Sequence, residues 1–249
     1  MEDFMIIIIF TLALLIGSFL NVCIYRIPNK QSIAYPPSHC PKCDTSLKPV
    51  DLIPVISYFL NKGKCRYCGE PISPQYPIVE IMNGLLYLIL YLKFGLSLIF
   101  VKYAILTSLL IVVSFIDYKF EIIPNGLMIF GIIIGLIFNI MNFNTSFVNG
   151  IIGLFLGGGI FLIIAFIGPM GGGDIKLMGV LGLIFGGKGI LLIALLSFII
   201  GAISSIILIL IGVKGRKDTI PFGPFISIAT VVTMLYGNEI LRMYLEIIL

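Results

Sequence analysis

Two aspartates and four cysteines carry the chemistry legible in this chain of 249 residues. Asp117 ends the run Ser114-Phe115-Ile116, and Asp174 follows Gly171-Gly172-Gly173 at the head of another apolar segment. Between Glu121 and Asp174 there is no Asp, Glu, Lys or Arg. An ionisable side chain at membrane depth is costly, so its presence points to function. Two carboxyls held close together cannot both ionise readily, and they titrate as a unit. The charged member takes a proton from water while the protonated member polarises a peptide carbonyl. The product is a tetrahedral intermediate with no covalent link to the protein. The glycines before Asp174 let the backbone approach an extended peptide closely. A plainer reading is that both acids cap helices or pair with Lys119 and Lys176. Sequence position alone leaves that reading open.

The cysteines form two knuckles, Cys40-Pro41-Lys42-Cys43 and Cys65-Arg66-Tyr67-Cys68, separated by 21 residues. That spacing matches a tetrathiolate zinc site, in which four soft sulfurs close the coordination sphere. With no open position, the Zn2+ is structural. Metal binding would supply folding energy to a segment with little core of its own. The alternative is two unrelated thiol pairs or disulfides, which a reducing cytosol disfavours. Gly63 and Gly69 flank the second knuckle, where tight turns need them. Cys23 lies in an apolar run and reads as packing. The single histidine, His39, leaves little room for a Ser-His-Asp or Cys-His arrangement or a histidine-bound catalytic metal. No GxGxxG leads from a strand into a helix, so a dinucleotide site is not expected.

The elements that position these residues are spans. The chain is 59% hydrophobic and 11% charged, against about 25% charged residues in soluble domains. A spanning helix needs roughly 20 apolar residues. The expected fold is an all-α polytopic membrane protein with about eight transmembrane helices. The segments are 4–25, 77–94, 97–116, 125–142, 146–167, 174–187, 189–212 and 222–237, the sixth being short. Glycine pairs at 131/135, 153/157 and 182/186 have the small-xxx-small spacing of close helix contacts in lipid. Glu2 and Asp3 precede the first apolar run, unlike a cleaved signal peptide.

Twelve of the 16 basic residues fall on one side if the loop after the first span is cytoplasmic. The N-terminus is then outside, and Asp117 and Asp174 share the cytoplasmic face. Pro124-Asn125 and the Pro221–Pro224 segment begin the fourth and eighth spans and are expected to wall the mouth of the site. Three parts follow: a first transmembrane helix (1–25), a small cytoplasmic zinc-binding domain inserted after it (26–76), and a multi-helix membrane domain (77–249). The basic residues sit where topology puts them, without the aromatic interleaving of a nucleic-acid surface.

Six segments, in order, resemble one family. Gly17-Ser18-Phe19-Leu20-Asn21-Val22 with Tyr25-Arg26-Ile27-Pro28 is similar to the opening signature of bacterial type IV prepilin peptidases. Ser38 through Cys43 resembles their first knuckle, and Gly63 through Cys68 with Pro71-Ile72-Ser73 and Tyr76 through Glu80 their second. Asp117 with Ile123-Pro124-Asn125, Gly171 through Lys176, and Ile220 through Phe225 resemble the two aspartate motifs and the C-terminal signature. Leu52, Gln75 and Asn125 depart from the family pattern, which often has Asn, Arg and Asp there. None of the three is one of the two acids or four cysteines.

The resemblance implies a membrane aspartic peptidase in the bacterial inner membrane. Such enzymes cut the basic leader from prepilins and pseudopilins after a glycine. They also N-methylate the new N-terminal residue with S-adenosylmethionine. Asp117 and Asp174 would be the catalytic dyad. Cys40, Cys43, Cys65 and Cys68 would organise the methyltransferase region. A peptidase without methylation and a non-enzymatic membrane assembly protein are the competing readings.

Overall fold

The computed structural model describes residues 2–141, 147–168, 170–215 and 218–248. Helices dominate: α1 (Glu2–Arg26), a 3-10 turn (Pro49–Leu52), α2 (Ile56–Leu60), α3 (Gln75–Phe94), α4 (Leu98–Phe120), α5 (Asn125–Met141), α6 (Phe147–Ile167), α7 (Gly172–Leu210) and α8 (Gly223–Ile248). Six of them are long and apolar enough to cross a membrane, and α5 is a shorter apolar helix. The chain is a multi-pass membrane protein. Its contacts divide it into two compact units, Met1–Val112 and Val113–Leu249.

In the first unit α1 and α3 run antiparallel. Asn83 Nδ2 donates to the Ala13 carbonyl (2.7 Å), and Asn21 Nδ2 donates to the Tyr76 carbonyl (3.0 Å). Ser108 Oγ of α4 donates to Asn83 Oδ1 (3.1 Å) and shares a hydrogen bond with Tyr87 Oη (2.9 Å). Lipid tails are as apolar as leucine, so such polar links fix helix pairing that hydrophobicity alone would leave undetermined.

The second unit differs instructively from the expected spans. Segments 174–187 and 189–212 are continuous in α7, which breaks at Gly186 (φ 71°, ψ −176°). The break reverses the chain. A Cβ on Gly157 of α6 would meet both the Met178 carbonyl (2.5 Å) and Ile190 Cγ1 (2.7 Å). Twelve residues of straight helix would hold those two positions about 18 Å apart. The α7 element is therefore a helical hairpin with antiparallel arms, and the two expected segments are its arms. Its first arm, residues 172–185, rises about 21 Å, short of the roughly 30 Å hydrocarbon thickness.

A break inside a helix orphans backbone groups, and in lipid these must find partners. Leu183 O would normally accept from the residue 187 amide. Here Leu183 O accepts from Asn139 Nδ2 (2.8 Å), and the Gly187 amide donates to Asn149 Oδ1 (3.1 Å). Two asparagines thus satisfy both orphans. The arm before the break packs so tightly on α6 that Gly153 and Gly182 meet backbone to backbone, leaving no space for a Cβ on either.

Two boundaries also moved. Helix α4 continues to Phe120, so Asp117 lies within its last turn rather than just beyond it. Helix α8 continues past residue 237 to Ile248, where Arg242 and Glu246 pair at 2.8 Å. Charged residues end an apolar run without ending a helix. Arg216 and Lys217, counted in the orientation argument, lie outside the described residues.

Candidate functional site

Four helix ends meet at one end of the second unit: the last turn of α4 and the first turns of α5, α7 and α8. The Glu121 amide closes the last turn of α4 on the Asp117 carbonyl (2.8 Å). The first turn of α8 has amides without helical partners, and one of them, Gly223 N, donates to Asp117 Oδ2 (2.9 Å). Asp174 is the third residue of α7 after its extended N-cap, Gly171. Its carboxyl folds back onto the Gly171 backbone, as an acid at that position does in a capping box. The α7 entry packs on the approach to α5. A Cβ on Gly173 would stand 2.8 Å from Ile123 Cβ, and Lys176 Nζ donates to Asn125 Oδ1 (2.8 Å).

These contacts bring the two acids together. Asp117 is 6% exposed and Asp174 8%, and Asp117 lies near enough for its charge to act on Asp174. Among the described residues neither forms an ion pair. Lys176 is engaged by Asn125 instead, which removes the salt-bridge half of the plainer reading. The capping half holds in part, since Asp174 does sit at a helix start. Capping does not use the whole group, however: Asp174 Oδ1 is buried without a hydrogen-bond partner. Buried polar atoms of that kind are rare and call for an explanation, one of which is a catalytic role. A pair of buried, interacting carboxyls with one free oxygen can hold and activate a water molecule.

Two contributors escaped the sequence reading. Gly223 was expected only to wall the site, yet its amide bonds the acid directly. Glu121 lies four residues after Asp117, acts electrostatically on it, and accepts from Thr219 Oγ1 (3.3 Å). The i, i+4 spacing was the available signal for Glu121. Only the fold could reveal the Gly223 contact, across 106 residues.

The cysteine cluster belongs to the first unit. The Sγ atoms of Cys40, Cys43, Cys65 and Cys68 all lie within 4.8 Å of one another, and Cys40 Sγ is 3.8 Å from Cys68 Sγ. A tetrahedron with Zn–S bonds of about 2.3 Å has S–S edges of roughly 3.8 Å, so the donor set fits Zn2+. The knuckles are built alike. The Cys40 amide donates to Thr45 O (3.0 Å) and the Cys65 amide to Glu70 O (2.8 Å). The residue after each second cysteine, Asp44 or Gly69, has positive φ (57° and 76°).

Local bonds prepare the thiolates that a metal requires. The Thr45 hydroxyl and amide bring Cys43 down to about 6, the Cys68 and Tyr67 amides hold Cys65 below the ordinary thiol range, and burial with the three neighbouring thiols pushes Cys68 up to about 12. Asp51 ties the 3-10 turn to the second knuckle. It accepts from Tyr67 Oη (2.7 Å) and the Lys48 amide (3.1 Å), and it pairs with Arg66 at 3.5 Å. Cys23 is buried in α1, outside the cluster.

Residues 11–94 match the bacterial peptidase A24 N-terminal domain, and residues 104–206 match the type IV leader peptidase family. The chain is 35% identical to the prepilin leader peptidase/N-methyltransferase of Bacillus subtilis (strain 168), over 98% of this chain and 100% of that protein. It is 30% identical to the protein of that name from Aeromonas salmonicida (97% and 94% covered) and 30% identical to that from Pseudomonas aeruginosa (94% and 91%). No solved structure matches it significantly. Similarity of this degree along the whole chain carries one conclusion: the chain belongs to the type IV leader peptidase family.

Proposed function

We propose that this protein is a prepilin leader peptidase and N-methyltransferase that uses Asp117 and Asp174 to cleave a leader peptide after a glycine. The observation that carries the reading is the pairing of two buried, interacting carboxyls at one end of the membrane bundle. One acid activates water; the other polarises the scissile carbonyl and then protonates the leaving amine. Gly223 N positions Asp117 through its Oδ2, and Gly171–Gly173 give a substrate strand room to approach.

The acids act at the cytoplasmic face of a bacterial inner membrane, with the N-terminus outside, as the Lys and Arg bias supports. Counting α5 and both arms of α7, the chain has eight membrane segments, of which the first arm of α7 reaches only part of the way across. Prepilins and pseudopilins are the substrates. Their apolar helix lies among the spans while the leader junction meets the acids. The segment 26–76, folded on Zn2+ held by Cys40, Cys43, Cys65 and Cys68, supports transfer of a methyl group from S-adenosylmethionine to the new N-terminus.

The test is a cleavage assay on a prepilin peptide in vitro, with and without S-adenosylmethionine, for the wild type, Asp117→Asn and Asp174→Asn. Cleavage by the wild type alone, with a methylated product only when the donor is present, is the expected result. Cleavage without methylation would leave a peptidase alone, and cleavage by either variant at the wild-type rate would remove the dyad.

A further inference from the structure

The cysteine segment carries apolar surface that its own folding leaves open. Val50, Leu52, Ile53, Ile56, Phe59 and Leu60 are all exposed, Phe59 at 65% and Leu60 at 75%. In α2, Ile56, Phe59 and Leu60 follow i, i+3, i+4 spacing and share one face. Tyr58 faces the other way, with its hydroxyl 3.0 Å from where a Gly63 Cβ would stand, against the second knuckle. Scattered apolar residues on a surface need no explanation, but a contiguous apolar patch marks an interaction site.

The position of this patch is fixed by one part-buried contact. Val55, the N-cap of α2, has φ 62°, a region that β-branched residues rarely enter. Its amide donates to Glu80 Oε2 at 2.8 Å. Glu80 lies in α3 five residues after Gln75, roughly 7.5 Å along the helix. On its other side Glu80 packs on α1, where a Cβ on Gly17 would meet Glu80 Cα at 2.7 Å. Helical side chains lean toward the N-terminus, so the Glu80 carboxyl reaches back toward the first turn of α3. The start of α2 is therefore pinned beside the first turns of α3, the helix Gln75–Phe94 that is long and apolar enough to span. Lys48, Lys62 and Lys64 flank the patch and are exposed.

We propose that the 3-10 turn and α2 lie in the membrane interface. Ile56, Phe59 and Leu60 insert among the headgroups and upper acyl chains. Lys48, Lys62 and Lys64 reach the phosphates of anionic lipid. Long basic side chains bordering an apolar face at the bilayer surface favour this arrangement. The zinc-binding segment would thus be held against the bilayer by its own surface as well as by the spans at its two ends.

The chain has no tryptophan, so a single introduced indole reports cleanly. Phe59→Trp and, as a water-facing control, Tyr35→Trp (76% exposed) are placed in the full chain. Each is reconstituted in nanodiscs containing phosphatidylglycerol, with zinc content measured to verify the fold. At position 59, lipids brominated near the glycerol end of the acyl chain should quench strongly. Aqueous acrylamide should quench several-fold less there than at position 35. Equal acrylamide quenching at both positions would overturn the proposal by placing the patch in water. Quenching at 59 by neither agent would overturn it by showing that protein covers the patch. If Phe59→Trp loses zinc, Leu60→Trp carries the same comparison.

Discussion

The Gly223 amide donates to Asp117 Oδ2 at 2.9 Å, and a Cβ added to Gly223 would stand 2.7 Å from that same oxygen. The contact that orients the acid therefore requires a residue without a side chain. Gly223→Ala should displace the carboxyl, and misplacement by about 1 Å can cost on the order of 100-fold in rate. Leader cleavage should fall by about that factor, while zinc content, set in the other unit, stays unchanged. Parallel measurement of peptide cleavage and metal content checks both halves.

Replacing either acid should do more. Asp117→Asn and Asp174→Asn each remove one partner of the pair and should lower cleavage by about 100-fold to 10,000-fold. Lys176→Met should have little effect, because Lys176 bonds Asn125 rather than an acid. Single-turnover rates in detergent or nanodiscs make the comparison. A loss in Lys176→Met as deep as in the aspartate variants would return the salt-bridge reading to favour.

Metal removal separates the two activities. Cys40→Ser or Cys68→Ser breaks the closed four-sulfur set and should release zinc and unfold residues 26–76. Methylation should fail before cleavage does. Mass spectrometry of the processed peptide reads both events, and an equal loss of both would mean that the segment supports the whole fold.

Asp51 links this segment to pH. The Tyr67 hydroxyl, followed by the Lys48 amide and the Arg66 charge, holds the Asp51 carboxyl below its ordinary range. A depressed carboxylate contributes stability that is full above its unfolded value of about 3.9 and is lost as pH falls through the lower folded value. Tyr67→Phe removes the largest cause, so the Asp51 titration should move up toward the ordinary value. The carboxyl carbon chemical shift, followed by NMR in excess zinc, measures this. An unchanged titration would mean that the hydrogen bond does not set it.

Asn139→Leu leaves the Leu183 carbonyl without its partner at the α7 break. The expected cost is about 0.5–2 kcal/mol, seen as earlier unfolding in a denaturant titration. Asn149→Leu should act similarly through the Gly187 amide.

Sequence determined much of this protein by itself. Apolar runs near bilayer length marked the helices because lipid leaves the backbone few other solutions. The two CxxC pairs announced a cluster of four sulfurs that could hold a metal, because the chemistry of each pair is local to four residues. The expense of an acid in an apolar setting singled out Asp117 and Asp174. Helix ends were less legible: α8 runs on through Arg242 and Glu246 because hydropathy reports the membrane and not the backbone.

Tertiary structure decided what depends on distant chain segments. Gly186 could be read as a packing glycine or as a turn. The reversal there became evident only when Met178 and Ile190 met the same glycine of α6, and Asn139 and Asn149 met the freed backbone groups. Likewise, no local pattern tells that the Gly223 amide reaches Asp117, that Glu80 accepts from the Val55 amide, or that Lys176 turns to Asn125. Each is a contact between segments brought together by helix packing, and a one-dimensional pattern carries no record of which helix lies beside which.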